Sequence, residues 1–87
     1  MKFNSSENEA IICSIRENID NGNLESTDIP YSLELIKRLD KELNEEDLNI
    51  IDFCTRESYY KFSKSQFSNE YTETLDEVRY KLFKSNN

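Results

Sequence analysis

The chain has 87 residues, of which 36% are hydrophobic and 33% charged, and its 18 acidic against 11 basic residues give a net charge of −7. A chain of this length buries about two thirds of its surface on folding, which suffices for one small core but not for a deep substrate cleft. Direct binding to nucleic acid or to anionic membranes requires clustered Lys and Arg, so the charge predicts neither. We expect instead a protein partner with a basic surface.

The apolar content of the chain and its cysteines predict a cellular location. No apolar run approaches the ~18 residues of a membrane span, and the segment after Met1 turns polar where a signal peptide needs apolar residues. The two cysteines, Cys13 and Cys54, are too few for a disulfide framework and lack metal-ligand spacing. We therefore expect a cytoplasmic protein.

Turn signals are scarce, which argues against strands joined by tight turns. The only glycine, Gly22, and the only proline, Pro30, enclose the one segment with loop composition, residues 23–29. No repeat or linker divides the chain, so residues 1–87 are predicted to form a single helical domain.

The first predicted helix begins after Ser6, which can form a reciprocal capping box with Glu9, and ends at Asn21-Gly22. Gly22 can adopt the left-handed conformation that closes a helix, with Leu24 folding back as its apolar contact. The buried stripe of this helix is predicted to be Ile11, Ile12, Ile15 and Ile19.

The second helix is predicted to start near Pro30 and to continue to Leu43, so that it meets the third at a tight corner. Its apolar stripe is Tyr31, Leu35, Ile36, Leu39 and Leu43, with Leu33 at the margin. Asn44 is a good N-cap for the third helix, and Glu45, Glu46 and Asp47 complement its dipole. That helix is predicted from Glu45 to a point between Phe62 and Gln66, with a main stripe of Leu48, Ile51, Thr55, Tyr59 and Phe62.

The fourth helix is predicted after a cap at Ser68 or Asn69, with acidic residues early and basic residues late, as its dipole favours. Its stripe is Tyr71, Leu75, Val78 and Leu82. Four amphipathic helices with short connections predict an all-α, compact four-helix bundle. The alternative has three helices, with the third and fourth merged through residues 63–68 and the core completed by dimerisation.

Catalytic chemistry is not expected. The chain has no histidine and one glycine, so His-dependent catalytic sites and Gly-rich phosphate loops are excluded. The acidic run Asp40, Glu42, Glu45, Glu46 and Asp47 lacks the alternating pattern of a calcium loop. We predict no enzyme activity, no cofactor and no metal site.

The third helix has a second apolar face, comprising Ile50, Phe53, Cys54 and Tyr60, opposite its main stripe. One interpretation is a central helix that is buried on all sides. The other is a recognition surface in which Phe53 and Tyr60 anchor a partner. The predicted partner-binding residues are Phe53, Tyr60, Ile50, Glu57, Glu45, Glu46 and Asp47, of which the last three are expected to supply electrostatic steering.

These features predict a small acidic helical protein that inhibits or regulates a protein partner by occluding its surface, with a nucleic-acid-binding protein or nuclease as a suitable basic target. In size, charge and lack of catalytic groups the chain resembles compact regulators such as phage-encoded inhibitors, antitoxins and bacteriocin immunity proteins. One alternative is a structural subunit that forms a homodimer or larger homo-oligomer through the third helix. Another is a DNA mimic with rows of carboxylates.

Overall fold

The computed structural model describes residues 1–63 and 70–85. Within these ranges 77% of the residues are helical and none forms a strand. The helices are α1 (Ser5–Asp20), α2 (Asp28–Lys37), α3 (Glu45–Ser63) and α4 (Glu70–Ser85). The predicted all-α four-helix bundle is confirmed.

The start of α1 differs from the predicted one. Asn4, and not Ser6, caps the helix, because its Oδ1 accepts the Glu7 backbone N–H at 2.8 Å while the Glu7 carboxylate accepts the Asn4 backbone N–H at 2.8 Å. The predicted Ser6 and Glu9 box is therefore wrong. The physical reason lies outside α1: the Glu7 Oε1 also accepts a hydrogen bond from Lys81 Nζ at 2.7 Å, which favours the box that contains Glu7.

The end of α1 follows the prediction. Gly22 has φ of 71°, and its N–H donates to the Ile19 carbonyl at 3.1 Å while the Asn23 N–H donates to the Asn18 carbonyl at 2.9 Å. These two bonds form a Schellman motif, and Leu24 is buried beyond it. The connection between α1 and α2 is thereby turned back onto the bundle.

The second helix is shorter than predicted. It begins at Asp28, two residues before Pro30, and ends at Lys37, where the Arg38 N–H donates to the Leu35 carbonyl at 2.9 Å. Leu39 and Leu43 are buried, but they lie in the irregular connection formed by residues 38–44. The predicted tight corner between α2 and α3 is therefore wrong. The four-residue spacing of Leu39 and Leu43 predicted a helix, but an irregular connection that packs on the core buries both side chains too.

The start of α3 is confirmed in detail. Asn44 Oδ1 accepts the Asp47 backbone N–H at 2.8 Å, and Asp47 Oδ2 accepts the Asn44 backbone N–H at 3.0 Å. From the predicted stripe, Ile51 and Thr55 are fully buried, whereas Leu48 is half-buried. α3 is described as far as Ser63, and the predicted end between Phe62 and Gln66 runs into residues outside the described ranges.

The three longer helices pack against one another, and α2 packs chiefly against α1. α4 runs antiparallel to α3, since Arg79 lies beside Asp52 whereas Tyr71 makes an edge-to-face contact with Phe62 at 5.4 Å between ring centroids. The predicted stripe of α4 is confirmed by its buried residues Leu75, Val78 and Leu82. Two predictions cannot be compared with the described ranges. The predicted caps of α4, Ser68 and Asn69, lie outside them, and so does most of the alternative continuous helix through residues 63–68.

A buried asparagine fixes α1 against α3 and against the following connection. Asn18 Nδ2 donates to the Ser14 carbonyl at 2.7 Å and to the Cys54 carbonyl at 3.1 Å, and Asn18 Oδ1 accepts from Asn23 Nδ2 at 2.9 Å. Because a buried amide is expensive to leave unpaired, these bonds hold the α1–α2 connection close to the middle of α3. No helix in the described ranges combines the length and apolar character needed to cross a membrane.

Candidate functional site

One face of α3 is only partly buried and carries most of the predicted partner-binding residues. At about 100° per residue, five side chains fall within an arc of about 80°. We call this face the outer stripe; it comprises Glu46, Ile50, Phe53, Glu57 and Tyr60. The buried Ile51 and Thr55 lie on the opposite side of the helix.

The side chains of the outer stripe differ in how far they are exposed. Tyr60 is 57% exposed, and Glu46 is exposed. Ile50 and Phe53 are half-buried and pack against the core, and Glu57 is half-buried. Cys54, which the sequence placed on the same face, is fully buried. α3 therefore packs between α1 and α4, yet a stripe along it is partly exposed, and its role as a recognition surface stays a prediction.

A groove runs beside the outer stripe, and its second wall is the α1–α2 connection. The groove has a volume of about 330 Å³ and brings Ile50 and Phe53 together with Leu24, Glu25 and Asp28. Leu24, Glu25 and Asp28 are not among the partner-binding residues predicted from the sequence. The available signal was Gly22 followed by Leu24, because that pattern predicts that the chain folds back toward the helix it has just left.

The aromatic rings of the stripe have defined neighbours. The guanidinium of Arg56 lies 5.9 Å from the centroid of the Phe53 ring, and Tyr60 packs edge to face on Tyr59 at 6.1 Å between centroids. Burial raises the pKa of the Cys54 thiol to about 12, with a further contribution from the Glu57 charge. The thiol under the stripe is therefore a small core group and not a nucleophile.

Asp47 does not belong to the exposed surface on which the sequence analysis placed it. Its side chain is fully buried and accepts hydrogen bonds from Arg38 at 2.9 and 3.1 Å and from the Tyr31 hydroxyl at 2.5 Å. The steering role expected of Asp47 requires a solvent-facing charge, which this position does not provide. The physical reason is that Asp47 lies about 100° around the helix from Glu46, on the side where the end of α2 packs.

The pKa values around Asp47 reflect a structural ion pair. Hydrogen bonds from Arg38 hold the pKa of Asp47 down, at about 2, despite the opposing effect of burial. The pKa of Tyr31 is raised, chiefly by its hydrogen bond to Asp47, and the pKa of Arg38 is raised for the same reason. These groups hold the 38–44 connection against α3 and are not poised for proton transfer.

The other acidic residues of the α2–α3 connection and of the first turn of α3 face solvent. We call this group the acidic corner; it comprises Asp40, Glu42, Glu45 and Glu46, all exposed. Among the described residues, ion pairs engage six of the chain's 11 cations but only five of its 18 carboxylates. A larger fraction of the cations than of the carboxylates is therefore held in ion pairs, and the electrostatic field at the surface is negative.

A larger concavity, about 740 Å³, lies between the start of α1 and the end of α4 and includes Tyr80 and Phe83. It is open to solvent, and the Glu7–Lys81 ion pair joins the two helices beside it. Its lining contains both carboxylates and cations, so its charge does not select one class of ligand. We therefore place the site on the outer stripe.

No group of three or more Cys, Asp and Glu residues in the described part of the chain is placed to hold a metal ion. Comparisons with protein-family models, curated proteins and solved structures found no match, so the outer stripe and the acidic corner are interpreted from their own chemistry.

Proposed function

We propose that this chain is a small acidic binding protein that inhibits or regulates a basic protein partner by occluding its surface. The contact is made by the outer stripe, and the acidic corner attracts the partner. The observation that carries the proposal is the placement of Ile50, Phe53 and Tyr60 on one partly exposed face of α3, together with Glu46 and Glu57. Apolar and aromatic anchors flanked by charge are typical of protein interfaces.

The anchors have the burial expected of a preorganised surface. Phe53 is held by the core on one side and by Arg56 on another, so little rotamer freedom remains to be lost on binding. Tyr60 presents both an apolar ring and a hydroxyl, and it is exposed enough to be covered by a partner. These two side chains are expected to supply most of the affinity.

The charge of the chain supports a basic partner. Glu45 and Glu46 lie at the N-terminal end of α3, and neither takes part in an ion pair with a described residue. Such charges increase the rate of association more than they increase the affinity, and salt screens them over about 8 Å at physiological ionic strength. The acidic corner therefore attracts a basic surface, and the outer stripe then binds it.

The DNA-mimic alternative is less well supported. Mimicry of a phosphate backbone requires a continuous row of carboxylates, but Glu46 and Glu57 on the outer stripe are about 16 Å apart along the helix and have apolar residues between them. Nuclease inhibition by direct occlusion remains within the proposal, because it requires only a basic partner surface.

A capture experiment with matched variants tests this function. The tagged chain is incubated with an extract of the source organism, in parallel with Tyr60→Ala and with Tyr80→Ala on α4. Tyr80 is 60% exposed, so the two tyrosines match in type and exposure and differ only in the surface they occupy. We expect a specific basic protein to be retained by wild type and by Tyr80→Ala but to bind Tyr60→Ala at least ~30-fold more weakly.

Because Phe53 contributes to the core, its variant needs a folding control. Phe53→Ala is compared with wild type by circular dichroism, and its binding is corrected for the folded fraction. The proposal is contradicted if every retained protein binds wild type, Tyr60→Ala and Phe53→Ala with equal affinity, or if Tyr80→Ala is the variant that loses binding.

A further inference from the structure

The residues of the outer stripe follow a regular spacing that the proposed function does not use. Glu46, Ile50, Phe53, Glu57 and Tyr60 are separated by four, three, four and three residues. This is the alternation of the a and d positions of a heptad, and it keeps one seam of a helix facing a neighbouring helix over its whole length. The seam is about 21 Å long, so it matches four turns of an α-helix.

The groove beside the seam adjoins Ile50 and Phe53 and has the charge that a basic occupant requires. The α1–α2 connection forms one wall, and it adds Glu25 and Asp28 to the carboxylates of the stripe itself. This connection is held in place by the Schellman motif at Gly22 and by the hydrogen bond between Asn23 and Asn18. The groove is therefore a fixed feature with an apolar floor and an acidic rim.

Two seam positions carry carboxylates where a coiled coil normally has apolar residues. Glu46 and Glu57 take part in no ion pair with a described residue, and the cations closest in sequence to Glu57 are already engaged: Arg56 lies 3.7 Å from Asp52, and Lys61 lies 2.8 Å from Glu17. Polar residues at seam positions select the partner and its register at the expense of stability. Cations of a partner at these two levels would therefore complement the two carboxylates.

A second copy of this chain does not meet the requirement. In a parallel pair, Glu46 would face Glu46 and Glu57 would face Glu57. In an antiparallel pair centred on Phe53, Glu57 would face Ile50 and Glu46 would face Tyr60, with no cation in the seam. Each copy also carries a net charge of −7, so the charge of the seam selects against self-association.

We propose that the outer stripe binds one amphipathic α-helix of the partner, at least four turns long. Its apolar residues cover Ile50, Phe53 and Tyr60, and Lys or Arg lies in register with Glu46 and Glu57. This inference rests on the proposed function and specifies the structural class of the partner segment. The occupant is a basic helix, and not an extended strand or a loop.

A display experiment tests the inference without knowledge of the natural partner. The probe is a library of 21-residue peptides on a helical scaffold, with one face randomised, selected against the intact chain. We expect enriched sequences to combine apolar residues at alternating three- and four-residue spacing with Lys or Arg at two positions eleven residues apart. Their binding is expected to be lost with Tyr60→Ala and retained with Tyr80→Ala.

Charge reversal identifies the register. Glu57→Lys on the seam is compared with Glu77→Lys, an exposed carboxylate on α4. We expect Glu57→Lys to weaken the selected basic peptides at least ~10-fold, and peptides with the facing Lys changed to Glu to recover that loss, whereas Glu77→Lys changes neither.

Three results would overturn the inference: no enriched sequence, enriched peptides without basic residues, or peptides whose binding does not depend on Tyr60 and Glu57. The proposed function fails separately. A natural partner whose binding depends on Tyr60, but whose contacting segment is an extended strand or a loop, would overturn the helical occupant and leave the binding function intact.

Discussion

Adjacent residues on α3 have opposite roles, and the pairs Glu46 and Asp47, and Ile50 and Ile51, make the contrast explicit. Asp47 and Ile51 are fully buried, Glu46 is exposed and Ile50 is half-buried beside the groove. The two members of each pair are chemically similar, so residue type does not explain why one is buried and the other is exposed or half-buried. The rotation of about 100° between successive residues does, because it moves one side chain into the core and leaves its neighbour facing solvent.

The acidic character of the chain therefore has two components. One carboxylate of the 45–47 run stabilises the fold through Arg38, Tyr31 and the cap of α3. The other two have no described ion partner and shape the surface. Substitutions on the inner side of α3 should therefore lower fold stability, whereas substitutions on the outer stripe should mainly change binding.

The largest expected effect on stability is at Ile51. Ile51→Ala should lower the free energy of unfolding by about 4 kcal/mol, because a fully buried isoleucine leaves a cavity when it is truncated. The matched variant Ile50→Ala should lower it by only about 1 kcal/mol, since its side chain is half-buried. Urea denaturation followed by circular dichroism measures both, and equal losses would contradict the assignment of the two faces.

The next largest effect is expected at Asp47. Asp47→Asn should lower the free energy of unfolding by about 3 kcal/mol, the lower end for removing one partner of a buried ion pair, because Arg38 keeps 35% of its side chain exposed. Glu46→Gln is the matched control and should change stability by less than about 0.5 kcal/mol. A loss below about 1 kcal/mol for Asp47→Asn would show that this network contributes little to the fold.

Acid should remove the contribution of Asp47. Its pKa in the folded state is about 2, below the ordinary value of 3.8, so the stabilisation is present above about pH 4 and is lost as the pH falls toward 2. The difference in unfolding free energy between wild type and Asp47→Asn should shrink by about 2 kcal/mol over that range. Denaturation curves at successive pH values measure it, and a difference that stays constant down to pH 2 would contradict the assigned ion pair.

The smallest effect on stability is expected in the acidic corner. Glu42→Gln with Glu45→Gln, two exposed carboxylates of the acidic corner outside the outer stripe, should leave the free energy of unfolding within about 0.5 kcal/mol of wild type but slow association with a basic partner about tenfold at low salt. Stopped-flow or surface-based kinetics at two salt concentrations measures the rate. A loss of affinity that is equal at low and high salt would place these carboxylates in direct contact with the partner instead.

The sequence predicted the fold well where local chemistry decides it. Gly22 at the end of α1 and Asn44 at the start of α3 each satisfy backbone groups within a few residues, so the pattern along the chain is sufficient. The sequence-based prediction failed where a residue distant in the chain decides which of two possible helix caps forms. The cap of α1 moved from Ser6 to Asn4 because Lys81, at the far end of the chain, pairs with Glu7.

The candidate site was predictable in part for the same reason. Helical periodicity placed Ile50, Phe53, Glu57 and Tyr60 on one face without any knowledge of tertiary structure. It could not assign Asp47, because its burial depends on Arg38 in a connection that the pattern predicted to be helical. Nor could it supply the groove wall at Glu25 and Asp28, which depends on how the α1–α2 connection packs against α3.

The most direct test of the central claim, that the outer stripe of the free chain is open and reserved for a basic partner, is the mass of the chain in solution. Light scattering across a hundredfold range of concentration should give the monomer mass of 10.3 kDa throughout, because the seam carboxylates oppose self-association. A mass that rises to twice this value with concentration, and that returns to the monomer mass with Tyr60→Ala but not with Tyr80→Ala, would contradict the account. The stripe would then be a homodimer interface.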